Sequence, residues 1–234
     1  MDKKTVELVF VIDQSGSMNG YEKDTIGGFN STIAKQKNDN FNVLVSTVLF
    51  STDFITLHDR VKIDEVKEMT EKDYTAGGCT ALYDAVGDTI EKISMIHKYA
   101  REEDVPVKTL FVIITDGMEN ASTRFNNEKV RALIKEKENC DWEFLFLGAN
   151  IDVEKAADDI GIAREKSASY KQSEKGYEEC YDGLSNYMCD VMCDMAVSYV
   201  DPSDYQPPEV AKKRKERRAK MSYLSNYIND EIND

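Results

Sequence analysis

Three short clusters in the chain carry oxygen-bearing side chains at spacings that could bind a hard cation. The first is Asp13-Gln14-Ser15-Gly16-Ser17, the second is Thr80 behind Gly77-Gly78-Cys79, and the third is Thr115-Asp116-Gly117. Asp13 and Asp116 offer carboxylates, and Ser15, Ser17 and Thr80 offer hydroxyls. Two close carboxylates repel unless a proton or a cation lies between them. All five donors are hard oxygens, suited to Mg²⁺, Mn²⁺ or Ca²⁺ rather than Zn²⁺. Mg²⁺ takes roughly six ligands in an octahedron. Three hydroxyls and two carboxylates, some acting through water, leave one position for a carboxylate from outside. A cation held mainly by neutral hydroxyls stays electrophilic enough to take it.

This chemistry requires the clusters to meet, and the surrounding elements provide the means. Val6 to Ile12, Phe41 to Phe50, Val107 to Ile114 and Trp142 to Leu147 are short, nearly continuous apolar runs, the pattern of strands buried on both faces of a parallel sheet. Helix-length amphipathic stretches separate them: Asp24 to Lys37, with Asp24 as a candidate cap, Thr80 to Tyr99, and Asn126 to Glu138. The alternation predicts an α/β fold: a doubly wound, mostly parallel central sheet with helices on both faces. Phe54 to His58 follows Phe50 too closely for a helical crossover and reads as one antiparallel edge strand. Further on, Asp152 to Ile160 reads as a short helix, Ser167 to Tyr170 as a final strand, and Ser173 to Val200 as a long amphipathic helix. In such sheets ligands bind beyond the carboxyl ends of the strands, where crossovers diverge. Asp13 and Asp116 both follow predicted strands there.

Here the sequence resembles the von Willebrand factor type A (VWA) family. Asp13-Gln14-Ser15-Gly16-Ser17 resembles its Asp-x-Ser-x-Ser motif, Thr80 its isolated threonine, and Thr115-Asp116-Gly117 its third motif. The likeness runs from about Val6 to Val200 and is nearest to stand-alone bacterial and phage VWA proteins, as in Phe146-Leu147-Gly148-Ala149-Asn150. It implies a Rossmann-like fold and a metal-ion-dependent adhesion site. Ser15, Ser17 and Thr80 would ligate the metal directly, and Asp13 and Asp116 directly or through water. The implied partner is a protein that supplies an Asp or Glu carboxylate.

The alternative is a Mg²⁺-dependent phosphoryl-transfer enzyme or hydrolase. Haloacid dehalogenase-like phosphatases place a second aspartate two residues after the first, where this chain has Ser15. There is no Gly-x-x-x-x-Gly-Lys-Ser/Thr loop. The histidines His58 and His97 fall in segments distant from Ser15 and Ser17. The expectation is therefore a binding module with no catalytic residues.

The formal net charge of -14 repels phosphate backbones and argues against nucleic-acid binding by the main body. No apolar run approaches the roughly 20 residues that span a bilayer. Five cysteines, an odd number, and a start at Met1-Asp2-Lys3-Lys4 predict a cytoplasmic protein with free thiols. Cys180, Cys189 and Cys193 read as buried, inert thiols rather than as metal ligands. Asp84, one turn beyond Thr80, is either a support for the site or a local helix acceptor. Glu119 and Asn120 either line the rim or belong to a solvated loop.

Residues 1–200 are expected to form the VWA domain, 201–208 a proline-containing linker, and 209–234 a charged, helix-prone tail. Lys212 to Lys220 is strongly basic and reads as a solvated face or an anionic-surface contact. The tail is expected to be dispensable for folding unless Met221, Leu224 and Ile228 form a docking stripe.

Overall fold

The structure is a computed structural model that describes residues 3–37, 40–198 and 224–229. Its strands are β1 (Lys4–Asp13), β2 (Phe41–Phe50), β3 (Phe54–Lys62), β4 (Lys108–Thr115), β5 (Trp142–Gly148) and β6 (Ser167–Ser169). Its helices are α1 (Glu22–Lys35), α2 (Leu82–Tyr99), α3 (Asn127–Glu138), α4 (Val153–Asp159), α5 (Glu174–Ser198) and α6 (Leu224–Asn229). The six strands lie in the order β3-β2-β1-β4-β5-β6, and only β3 runs antiparallel to its neighbour. The predicted fold class and the antiparallel edge strand are both present.

The continuous apolar strands are explained by burial on two sides. From β1, Leu8, Phe10 and Ile12 face a core layer shared with α1 and α5. Val9 and Val11 face the opposite layer, with α2, α3 and α4. Successive strand residues point to opposite faces, so a sheet covered by helices needs apolar residues at every position. The chain winds from β1 through α1 to β2 on one side. It then returns through α2 to β4 on the other side of β1. β1 and β4 therefore flank the point where the winding reverses, and a crevice opens at their carboxyl ends.

Asp24 does not cap α1. The cap position is Tyr21, and Asp24 lies in the first turn beside Glu22, where a carboxylate complements the positive end of the helix. Asn126 and Asp152 do cap, accepting bonds from Lys129 N and Lys155 N.

In the tail, helix α6 takes the docking alternative at Leu224 and Ile228. Leu224 and Ile228 are buried in the same layer as α5. Gly183 of α5 makes the approach possible: a Cβ there would lie 2.6 Å from Ile228 Cγ1 and 2.7 Å from Tyr227 O. Tyr227 Oη also donates to Asp190 Oδ2 at 2.8 Å. The expected linker 201–208, Lys212 to Lys220 and Met221 lie outside the described residues.

Candidate metal centre

β1 and β4 run in register, with Ile12 opposite Ile114. The next residues bring the ends of both strands together. Thr115 Oγ1 donates to Asp13 Oδ2 at 2.6 Å, and Ser15 N donates to Asp13 Oδ1 at 2.6 Å. Ser15 Oγ and Ser17 Oγ lie 3.0 Å apart, presented by a 3-10 turn over Gly16–Met18.

Thr80 arrives on a separate loop that is tied down from three sides. Gly77 N donates to Gln14 O at 2.7 Å and Gly16 N to Gly78 O at 3.0 Å, so this loop and the β1 loop are joined by their backbones. Gly78 has φ of +81°, and a Cβ there would sit 2.9 Å from Thr52 Oγ1, so only glycine suits the position. Asn120 clamps Thr80 reciprocally: Thr80 N donates to Asn120 Oδ1 at 2.9 Å, and Asn120 N donates to Thr80 O at 3.0 Å.

Gly117 shows how closely the three clusters converge. A Cβ there would lie 2.7 Å from Thr80 Oγ1, 3.1 Å from Ser17 Oγ and 3.4 Å from Asp13 Oδ2. Oxygens from the first and second clusters thus surround one point on the backbone of the third. Asp13 is fully buried, while Ser15, Thr80 and Asp116 are 1–3% exposed. Ser17 is exposed and opens the cluster to solvent.

The electrostatics are unsatisfied. Burial pushes the Asp13 carboxyl above its ordinary pKa, and the Asp116 charge adds to the shift. Burial likewise raises Asp116, against hydrogen bonds from Ser17 and Gln172. Neither carboxylate forms a salt bridge with a Lys, Arg or His among the described residues. Asp116 Oδ1 is buried with no hydrogen-bond partner. An orphaned carboxylate oxygen beside converging hydroxyls is the deficit that a hard divalent cation would fill, and the donor set fits one. Among the residues expected to bind the metal, all five are brought to this one end of the sheet.

Glu119 and Asp84 were singled out in the sequence without their partners, and Tyr74 and Gln172 were not legible there. Glu119 takes backbone bonds from Tyr83, Ala121 and Ser122, which joins the loop after Asp116 to the first turn of α2. Asp84 accepts from the backbone N–H groups of Thr123, Arg124 and Phe125 at 2.8–2.9 Å. It is neither a local helix acceptor nor part of the oxygen cluster; it pins a loop. Tyr74 Oη donates to Asp13 O at 2.5 Å from a fully packed position. Gln172 reaches Asp116 from the loop before α5. These partners come from segments distant in sequence, with no spacing rule to announce them.

Residues 2–142 match the family described as VWA domain containing CoxE-like protein. The chain belongs to the VWA family. Solved structures with the same fold include a von Willebrand factor type A protein from Catenulispora acidiphila, with 15% identity and a TM-score of 0.56 over 80% of this chain and 43% of that one. The pilus adhesin SpaC from Lactobacillus rhamnosus GG, in an open conformation, has 14% identity and a TM-score of 0.60 over 81% of this chain and 30% of that one. Proximal thread matrix protein 1 from the mussel byssus, solved with a zinc-occupied MIDAS motif, has 15% identity and a TM-score of 0.55 over 80% and 46%. The chain spans less than half the length of each. Among curated proteins nothing matches it.

The cysteines correct one expectation. Cys180 is buried, and burial raises its thiol pKa well above the ordinary value, consistent with an inert core group. Cys189 is only half-buried and Cys193 is exposed, so they are not core thiols. No group of three or more His, Cys, Asp or Glu gathers as a metal cluster among the described residues. The candidate centre therefore depends on its hydroxyls.

Proposed function

We propose that this VWA domain is a metal-dependent protein-interaction module. Asp13, Ser15, Ser17, Thr80 and Asp116 would hold Mg²⁺, or Mn²⁺ or Ca²⁺, at the carboxyl end of the sheet. A partner protein would supply an Asp or Glu carboxylate. The observation that carries this reading is the pair of buried carboxylates with no cationic side chain, one oxygen of which has no partner at all. When bound, the cation supplies a positive centre that can take an anionic oxygen from outside. The chain's own part is to hold the oxygens in place: Asn120 fixes Thr80, Thr115 fixes Asp13, and Gly117 leaves the space between them open.

We propose no catalysis. Ser15 and Ser17 are not served by a histidine base, because both histidines are engaged elsewhere. His58 bonds Thr47 Oγ1 and Lys67 O, and His97 bonds Glu7. The cysteines form no disulfide among the described residues, which supports the proposal of a cytoplasmic, reducing setting. No helix among the described residues is long and apolar enough to cross a membrane.

The test is capture of partner proteins by the full chain in Mg²⁺ and in EDTA, with Asp13→Ala and Thr80→Ala in parallel. Partners that bind only in Mg²⁺, release on EDTA and ignore both variants are the expected result. Mutating the acidic residues of such a partner should then abolish capture. Binding indifferent to EDTA and to both substitutions contradicts the proposal.

A further inference from the structure

Gln172 is the residue that joins the candidate centre to the C-terminal helix. Its Nε2 donates to Asp116 Oδ2 at 2.6 Å and to Ser17 O at 3.0 Å. Its Oε1 accepts from Asn150 Nδ2, just beyond β5. One side-chain amide therefore touches a carboxylate from the third cluster and the backbone of the first. It leaves Asp116 Oδ1 as the free oxygen.

The backbone of Gln172 is held as firmly as its side chain. Tyr21 Oη donates to Gln172 O at 2.9 Å, and the Tyr21 ring stacks on Tyr177 at 5.1 Å between centroids. Ser173 Oγ accepts from Gly176 N at 3.1 Å, starting α5 one residue after Gln172. Gly176 is required at this turn, because a Cβ there would overlap the carbonyl oxygen of Lys171. Tyr177 Oη donates to Met18 Sδ at 3.7 Å, so the first turn of α5 also packs on the turn that carries Ser17.

We propose that Gln172 is a positioning residue for the metal centre. It orients Asp116 through Oδ2 and holds it against the Ser17 backbone. The proposal rests on the metal-binding reading above. Carboxylates that hold a metal depend on hydrogen bonds from residues behind them, and loss of such a bond typically weakens metal affinity about 10–100-fold. Coupling between two sites is reciprocal, so what steadies Asp116 must in turn be steadied by the cation.

The experiment uses Mn²⁺ alone as the probe, on the full chain. Calorimetric titration is compared for wild type, Gln172→Ala and Gly176→Ala, with melting temperatures in EDTA measured alongside. Hydrogen exchange of residues 172–177 is followed with and without Mn²⁺. The expected result is affinity about 10-fold weaker in Gln172→Ala, with an EDTA melting temperature close to wild type. Gly176→Ala, which keeps the Gln172 side chain but displaces its backbone, should weaken Mn²⁺ in the same direction. Mn²⁺ should slow exchange at 172–177 in wild type and leave it unchanged in saturated Gln172→Ala. Equal or tighter Mn²⁺ binding by Gln172→Ala overturns the proposal. So does a loss of affinity that merely follows a fall in the EDTA melting temperature. A wild type that binds no Mn²⁺ would sink the metal-binding reading itself, a different result from either.

Discussion

The molecule buries carboxylates in two ways, at two places on one sheet. Near the amino ends of the strands, each has a cation. Glu7 of β1 lies 3.3 Å from Arg60 Nη1 and 2.6 Å from His97 Nε2. Glu143 of β5 lies 2.9 Å from Lys108 Nζ and 2.5 Å from Lys166 Nζ. Burial pushes the Glu143 carboxyl up, but Lys166 and Lys108 outweigh it and hold it at about 2. At the carboxyl ends, Asp13 and Asp116 are buried as deeply but have only hydroxyls and amides around them. Among the described residues the other buried carboxylates have a cation of the chain's own, and these two have none, which is the contrast that supports the proposed cation site. The same contrast separates scaffold from site. The paired carboxylates stabilise the fold as it stands, whereas the bare pair costs stability until something binds.

The largest test of that contrast is to reverse it. Replacing both Lys108 and Lys166 with methionine keeps the aliphatic stems and leaves the largely buried Glu143 carboxylate with the Tyr187 hydroxyl but no cation. Chemical denaturation should show a loss of about 4 kcal/mol, as when a buried pair loses one member. Asp116→Asn, measured in EDTA, should do the opposite and leave stability unchanged or higher. A loss from Asp116→Asn comparable to that of the lysine variant would show that the two places are alike.

A somewhat smaller effect separates the site from the scaffold below it. Leu224→Ala removes a buried side chain of α6 and should cost about 3 kcal/mol by thermal or denaturant unfolding. The gain in melting temperature on adding Mg²⁺ should persist in this variant, because α6 packs against α5 and β6 rather than against Asp13 or Asp116. A variant that folds but no longer responds to Mg²⁺ would place the tail within the site.

Lowering the pH should move the two places in opposite directions. The Glu143 pKa is depressed in the fold from an ordinary value of 4.5, so its stabilisation is present above that value and declines as pH falls toward 2. The pKa values of Asp13 and Asp116 are raised from 3.8, so their ionisation penalises the metal-free fold above their shifted values, and protonation relieves it. Cation binding needs both ionised, so the Mg²⁺-induced rise in melting temperature should shrink as pH falls through the carboxylate range. Melting curves from pH 7 down to about 2, with Mg²⁺ and with EDTA, measure both responses. A Mg²⁺ increment independent of pH would contradict it.

The sheet was readable because double-sided burial demands long apolar runs, and those runs, Phe41–Phe50 for example, carry their own boundaries. The five candidate oxygen donors could be singled out because they cluster just past the ends of β1 and β4 or just before α2. What could not be read is what depends on contacts between distant segments. Gln172 approaches Asp116 only because Tyr21, Ser173 and Gly176 fix its loop, and no local pattern marks it. Asp84 keeps helical spacing from Thr80, yet its carboxylate serves residues 123–125 instead. The tail looked separable because its charged stretch dominates its composition, while the docking of α6 depends on Gly183, far earlier in the chain and in a different helix.

The central claim is that Asp13 and Asp116 await a divalent cation. Calorimetric titration of the metal-free chain with Mn²⁺, beside Asp13→Asn and Asp116→Ala, tests it most directly. The account predicts one saturable site in the wild type, lost in both variants while each remains folded by circular dichroism. Wild type and variants that bind Mn²⁺ alike, or a folded wild type that binds none at millimolar concentration, would contradict it.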